Sequence, residues 1–196
     1  MKLVAVVGSA VPSGKTRAAI EITARAAAEC DPACEADIID LARERVSILD
    51  GRALDKYEDQ TASVISRISQ GNVFVLGSPI YRGAYTGAFK NLLDLVPLEA
   101  LEGKVVGVVA TAASADHYLA IDYQFRGLLA WFNAYLLPGS VYLANSAYTA
   151  GKVTSEQALT QLDQLGKSLV TVAKRLADVP ALPPSLTRRV LQAAHK

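Results

Sequence analysis

Short, almost unbroken apolar runs decide what this chain can fold into. "KLVAVV" (2–7), "NVFVLG" (72–77), "KVVGVVA" (104–110) and "GSVYLA" (139–144) are rich in Val and Leu and bounded by turn residues. Runs of this kind read as strands covered on both faces, and such strands lie parallel inside an α/β sheet. A more polar run, "EADIID" (35–40), fits one further strand. Between them lie helical patterns near 14–29, 57–70, 84–96 and 116–136, with a last one near 154–177. The last has a cap in Thr154 or Ser155, and Gln157 is placed to close a capping box on Thr154. The alternation predicts a doubly wound, five-stranded parallel α/β sheet with right-handed crossovers and helices on both faces.

The length, 196 residues, suits one domain, read as 1–178, followed by a C-terminal extension over 179–196. That tail carries three prolines in "PALPPSLTRRVLQAAHK" and reads as an arm with a short helix at most. Twenty basic residues against nineteen acidic ones leave a formal charge of +1. Nothing there favours nucleic acid or an acidic membrane surface as a partner. No stretch approaches the ~18 apolar residues of a spanning helix. The opening apolar run is shorter than the ~7–15 residues of a signal core. It is read as a first strand, and the cytoplasm as the compartment. Cys30 and Cys34, in "CDPAC", have no strong metal or redox spacing and read as reduced structural thiols.

The stretch "GSAVPSGKT" (8–16) follows the first strand and opens a helix. A nucleoside-triphosphate loop needs a glycine at position 9, but Ser9 stands there and Gly8 is one residue early. A phosphotransferase would also want a metal-holding aspartate at a strand end; Asp40 is on offer, but the strands at 72–77 and 104–110 supply none. The local chemistry nonetheless suits a phosphate. Ser9, Ser13 and Thr16 carry hydroxyls, Lys15 a charge, and the amides of Gly14 to Thr16 open the helix at its positive end. An ordinary polar turn capped by Ser13 or Thr16 explains the same letters, and the loop alone leaves both readings open.

A second loop, "GSPIYRGAYTGAFKNLLDLVP" (77–97), leaves the third strand. Pro79 ends the strand and Gly83 frees the backbone beyond it. In a sheet of order 2-1-3-4-5 the crevice between strands 1 and 3 is where ligands bind. A phosphate-type loop then faces an aromatic, glycine-rich one, as a flat ligand with a phosphate tail requires.

This second loop, followed by "ALEGKVV", resembles that of the NADPH-dependent FMN reductases of the flavodoxin-like fold. Within them it is most similar to the small reductases that feed reduced flavin to two-component monooxygenases, such as those of alkanesulfonate desulfurisation. Gly8, Ser9, Pro12, Ser13 and Thr16 match the first loop of that family, and "ATAASADHYLAIDYQFRGLL" (110–129) matches a third segment. The resemblance runs from residue 2 to about 145. One departure is Ala112-Ala113, where the family usually carries two glycines after the threonine. The amide donors there are kept, but two methyl groups must be accommodated.

The resemblance implies FMN and NADPH (or NADH) as ligands. Ser9, Ser13, Lys15 and Thr16 would hold the FMN phosphate. Pro79, Ile80, Tyr81 and Arg82 would line the isoalloxazine, and Thr111, Ala112, Ala113 and Ser114 would bound its other edge. Tyr81 also reads as a rim aromatic. Arg82 reads as a solvated charge, or as a fork aimed at flavin oxygens or nucleotide phosphates. Arg17, Arg82 and Arg126 are all candidates for a 2′-phosphate. Hydride transfer from nicotinamide to flavin needs stacking and orientation rather than acid–base residues, so no catalytic side chain and no metal are expected. His117 reads as a helix-start residue.

The stretch 116–137 is apolar nearly all round and holds Tyr118, Tyr123, Phe125, Trp131, Phe132 and Tyr135. A monomer's surface helix would show a polar face, so a homo-oligomer, dimer or tetramer, is expected through it. Tyr123 stands where the resembling reductases carry an inserted tyrosine and a π-bulge; an ordinary interface aromatic is the alternative. The expected function is an NAD(P)H-dependent FMN reductase serving a partner monooxygenase. An FMN-containing quinone, azo or metal-ion reductase and a non-catalytic flavin carrier are the other readings.

Overall fold

The computed structural model describes residues 1–12, 14–180 and 182–183; Ser13, His195 and most of the proline-rich tail lie outside them. The apolar runs form strands β1 (Lys2–Val7), β2 (Glu35–Asp40), β3 (Val73–Pro79) and β4 (Val105–Ala112), all parallel. Helices α1 (Lys15–Cys30), α2 (Thr61–Ser69) and α3 (Gly87–Leu95) connect them. The sheet runs β2-β1-β3-β4 and then an outer strand beyond β4, the order expected of this flavodoxin-like α/β fold.

The expected fifth strand over 139–144 is β6 (Val141–Ala144), and a short strand β5 (Tyr135–Leu136) precedes it where the end of a helix was expected; both pair with β4 and together make a broken outer strand. Pro138, which cannot donate to a ladder, and Gly139 interrupt it. The helix expected over 116–136 is correspondingly short. A π-helical turn over Ile121–Phe125 leads into α4 (Arg126–Trp131). Asn133, left-handed at φ 54°, follows and turns the chain into β5. A hairpin of β7 (Tyr148–Thr149) and β8 (Lys152–Val153) precedes α5 (Glu156–Leu176). Ser155 caps α5 by accepting the Ala158 amide at 3.3 Å. The capping box expected on Thr154 is not formed, because Thr154 Oγ1 meets Thr149 Oγ1 at 3.0 Å.

Alternation along each central strand feeds two cores. Leu3, Ala5, Val7, Val73, Val75, Val105 and Val109 face α1 and α5, while Val4, Val6, Phe74, Leu76, Val106 and Val108 face α2, α3 and the π-helical segment. Burial on both faces explains why these strands read as unbroken apolar runs. On the first face α1 and α5 meet directly. A Cβ at Gly166 would lie 2.3 Å from the Thr23 carbonyl oxygen and 2.9 Å from the Ala26 Cβ. Ala19, Ala24 and Ala27 of α1 are buried too, and small side chains are what such close contact needs. At the sheet's outer strand, Asp37 binds Arg67 Nε through both carboxylate oxygens at 3.1 Å and Lys2 Nζ at 3.1 Å. Arg67 also pairs with Glu44.

Two expectations follow. Gly166→Ala drives a methyl into backbone, and a cost of about 1–3 kcal/mol or more should appear as a lower urea midpoint at unchanged m-value. Arg67, and then Lys2, hold the Asp37 carboxyl below the ordinary carboxylate range. A carboxylate whose folded pKa is depressed adds stability above its unfolded pKa, and loses it as pH falls through the folded value. Asp37→Asn should therefore flatten the acid limb of the stability–pH curve below about pH 4, the ordinary aspartate range, and lower the neutral plateau.

Candidate functional site

Three chain segments leave the carboxyl ends of β1, β3 and β4, and hydrogen bonds lock them together. Gly8 donates its amide to the Gly77 carbonyl at 2.7 Å. A Cβ on Gly8 would stand 2.6 Å from Phe89 Cδ2 and 2.7 Å from that carbonyl oxygen, so only glycine fits. Thr86 Oγ1 donates to the Gly8 carbonyl at 2.5 Å and accepts the Phe89 amide at 3.0 Å, capping α3. The Thr86 amide in turn donates to Ser78 Oγ at 3.0 Å. Ile80 donates its amide to the Thr111 carbonyl at 2.7 Å. Thr16 Oγ1 and Thr111 Oγ1 lie 2.8 Å apart, both buried, and tie the first turn of α1 to the end of β4.

The first loop forms a short anion-type cradle. Ser9 is buried, and its hydroxyl donates to the Val11 carbonyl at 2.8 Å and accepts the Val11 amide at 3.2 Å, curling the loop on itself. Gly14, at φ 77°, offers no side-chain cap to α1, and the first turn holds no acid. Uncapped amides at the positive end of a 16-residue helix suit a phosphate. Lys15 Nζ stays beside this turn, 2.8 Å from Asn145 Oδ1 and 5.7 Å from the Tyr148 ring centre. Beneath the loop is a cavity of about 50 Å³ that reaches Arg17, Asp40 and Arg43. Asp40 binds Arg17 Nη1 at 2.7 Å and lies 3.5 Å from Arg43 Nε. The aspartate at the strand end is thus spent on arginines.

The second loop is a tight hairpin. Tyr81 and Ala84 exchange both backbone hydrogen bonds, at 2.8 and 3.2 Å, around Arg82 (φ 56°) and Gly83 (φ 79°). Both central residues are left-handed, as a type I′ turn requires. Pro79 and Ile80 are buried beneath it, whereas Tyr81 is 52% exposed and Arg82 exposed. Tyr85 turns the other way, its ring edge-on to Phe125 with centroids 5.4 Å apart. On the third segment Ala112 ends β4 opposite Ala144, Ala113 is exposed, and the Ser114 carbonyl accepts the Tyr142 hydroxyl at 2.7 Å. Burial raises the Tyr142 pKa, which keeps that phenol a donor.

Ser9, Lys15, Thr16, Pro79 to Arg82 and Thr111 to Ser114 therefore gather at one sheet edge, while Ser13 lies outside the described residues. Sequence reasoning missed Thr86, Tyr142 and Asn145, which hold the loops or their lysine. Thr86 carried a legible signal, a threonine before the apolar helix; Tyr142 and Asn145 act across long sequence separations and carried none. No helix among the described residues is long and apolar enough to cross a membrane.

Comparison with known proteins gives this arrangement a family. A family model described as NADPH-dependent FMN reductase matches residues 1–149. The chain is 37% identical to an NAD(P)H-dependent FAD/FMN reductase of Geobacillus thermodenitrificans over 142 residues, 72% of this chain and 76% of that protein. It is 38% identical to the NADH-dependent FMN reductase SfnF of Pseudomonas putida, over 53% of this chain and 59% of the relative. The apo crystal structure of an NADH:FMN oxidoreductase (EMOB) superposes with a TM-score of 0.73 at 24% identity, over 91% of each chain, and shares the fold. With three-quarters of its length matched, the chain belongs to the NADPH-dependent FMN reductases, oxidoreductases that use FMN with NAD(P)H as electron donor.

Proposed function

We propose that this chain transfers hydride from NAD(P)H to FMN in the cytoplasm and passes the reduced flavin to a partner monooxygenase. The observation that carries the reading is the clasp joining three loops: an uncapped helix start, an aromatic hairpin and the end of β4, fixed by Gly8–Gly77, Thr16–Thr111 and Ile80–Thr111. FMN supplies the redox chemistry when bound; the protein positions it and keeps water from one side. In this reading the amides of α1, with Ser9 and Lys15, take the phosphate. Ser13 belongs to the same set by sequence. Pro79, Ile80 and Tyr81 form an apolar shelf for the ring, and the backbone of Thr111 to Ser114 meets its polar edge. Thr16 contributes by holding Thr111 in place.

The monooxygenase partner is supported by the second-loop motif, which resembles that of the reductases of two-component monooxygenases. A homo-oligomer is supported by the outer face of the π-helical segment, where Tyr118, Tyr123 and Trp131 are 58%, 76% and 60% exposed and Leu119 is 44% exposed. Contiguous exposed apolar surface of this kind marks a contact site.

The test is NADPH oxidation by flavin-stripped protein with increasing free FMN. A rate that rises with FMN and saturates is expected. Protein that retains its flavin and turns over only with a quinone or azo acceptor would replace this reading with the prosthetic-group reductase. No oxidation with any acceptor would leave a flavin carrier. Sedimentation should show a dimer or tetramer, and Tyr123→Glu with Trp131→Glu should shift it to monomer while the fold survives.

A further inference from the structure

The three arginines that are candidates for a 2′-phosphate differ in what they already hold. Arg17 binds Asp40 through Nη1 at 2.7 Å and Glu21 through Nε at 2.7 Å. Arg126 binds Asp122 through Nε at 2.6 Å and donates from Nη2 to the Pro138 carbonyl at 3.0 Å. Arg82 has no hydrogen-bond or ion-pair partner among the described residues and stands exposed at the tip of the hairpin after β3.

Its backbone is held firmly all the same. The paired bonds between Tyr81 and Ala84 close the turn, and the Ile80 and Thr86 anchors fix its base to β4 and to β1. The first central position of a type I′ turn favours Gly, Asn or Asp, because a Cβ at positive φ is strained by about 1 kcal/mol or more. An arginine carried there at φ 56° presents five unspent donors in a planar fork, on a backbone closed by these bonds. Such a fork suits a doubly charged phosphate.

Resting on the reductase reading, we propose that Arg82 selects the nicotinamide nucleotide by receiving the 2′-phosphate of NADPH, the group that NADH lacks. In that reading the flavin phosphate is taken by the start of α1, which leaves Arg82 for a second phosphate. Of the three arginines, the other two would have to abandon a carboxylate to do the same work.

Arg82→Ala and Arg82→Lys should be compared with the native protein at saturating FMN, using NADPH and NADH in turn. Losing a fork on a dianion should lower kcat/KM for NADPH by about tenfold to a hundredfold. Any loss with NADH should be smaller by that same factor, so that the ratio of the two kcat/KM values falls, with Lys intermediate. By calorimetry, native protein should bind adenosine 2′,5′-bisphosphate more tightly than 5′-AMP, and Arg82→Ala should erase that difference. Equal losses for both nucleotides, or no loss for either, would overturn the assignment. If native protein oxidises neither nucleotide, the reductase reading fails. The bisphosphate comparison then still decides whether Arg82 holds the phosphate.

Discussion

Much of this molecule hangs on the hydrogen bond from Gly8 to the carbonyl of Gly77. It sits where β1 and β3 stop being sheet and become loops, and neither residue tolerates a side chain. A Cβ on Gly8 would strike Phe89 and the carbonyl itself, and one on Gly77 would lie 2.8 Å from Ile20. Because the strands end this close together, the cap of α3 reaches across to the first loop and the start of α1 reaches across to β4. Each loop is then fixed by its neighbours rather than by its own composition. A site assembled in this way is rigid before any ligand arrives, which lowers the ordering cost of binding.

Burial decided how much of this could be read from the letters. Strands covered on both faces must be apolar throughout, so β1, β3 and β4 were legible almost to the residue. The outermost strand is held from one side only. Tyr135-Leu136, cut off from it by Pro138-Gly139, were read as the end of the preceding helix, since a short apolar run reads either way. The helix before it looked longer than it is for the same reason, and Asn133 was the overlooked stop. Gly166 was not legible at all, since a glycine within a helix shows its purpose only when the opposing helix is known. The pairing of Thr16 with Thr111 spans 95 positions and leaves no local pattern.

The site shows a similar division. The described loop residues named from motif gather at one edge, because the motif itself records which strand ends are neighbours. Their hydroxyls, however, serve the protein as much as a ligand. Ser9 bonds its own loop, and Thr16 bonds Thr111. The substitution of Ala112-Ala113 for two glycines is accommodated without a left-handed backbone, since Ala112 continues the β4 ladder and Ala113 faces solvent. Positive φ among the described residues of the site falls instead on Gly14 in the first loop and on Arg82 and Gly83 on the facing hairpin.

The break in the outer strand has a consequence for how the protein behaves in a crowd. A sheet edge is a row of unpaired amides and carbonyls on which another chain can zip. Here that edge offers two residues of β5, then a proline and a glycine out of line, then four residues of β6. No stretch is long or straight enough to template a partner strand. At the opposite edge β2 carries Asp37 locked between Arg67 and Lys2, a charged group that a foreign sheet would have to desolvate. A chain with such uniformly apolar central strands thus keeps both borders of its sheet unreceptive to aggregation.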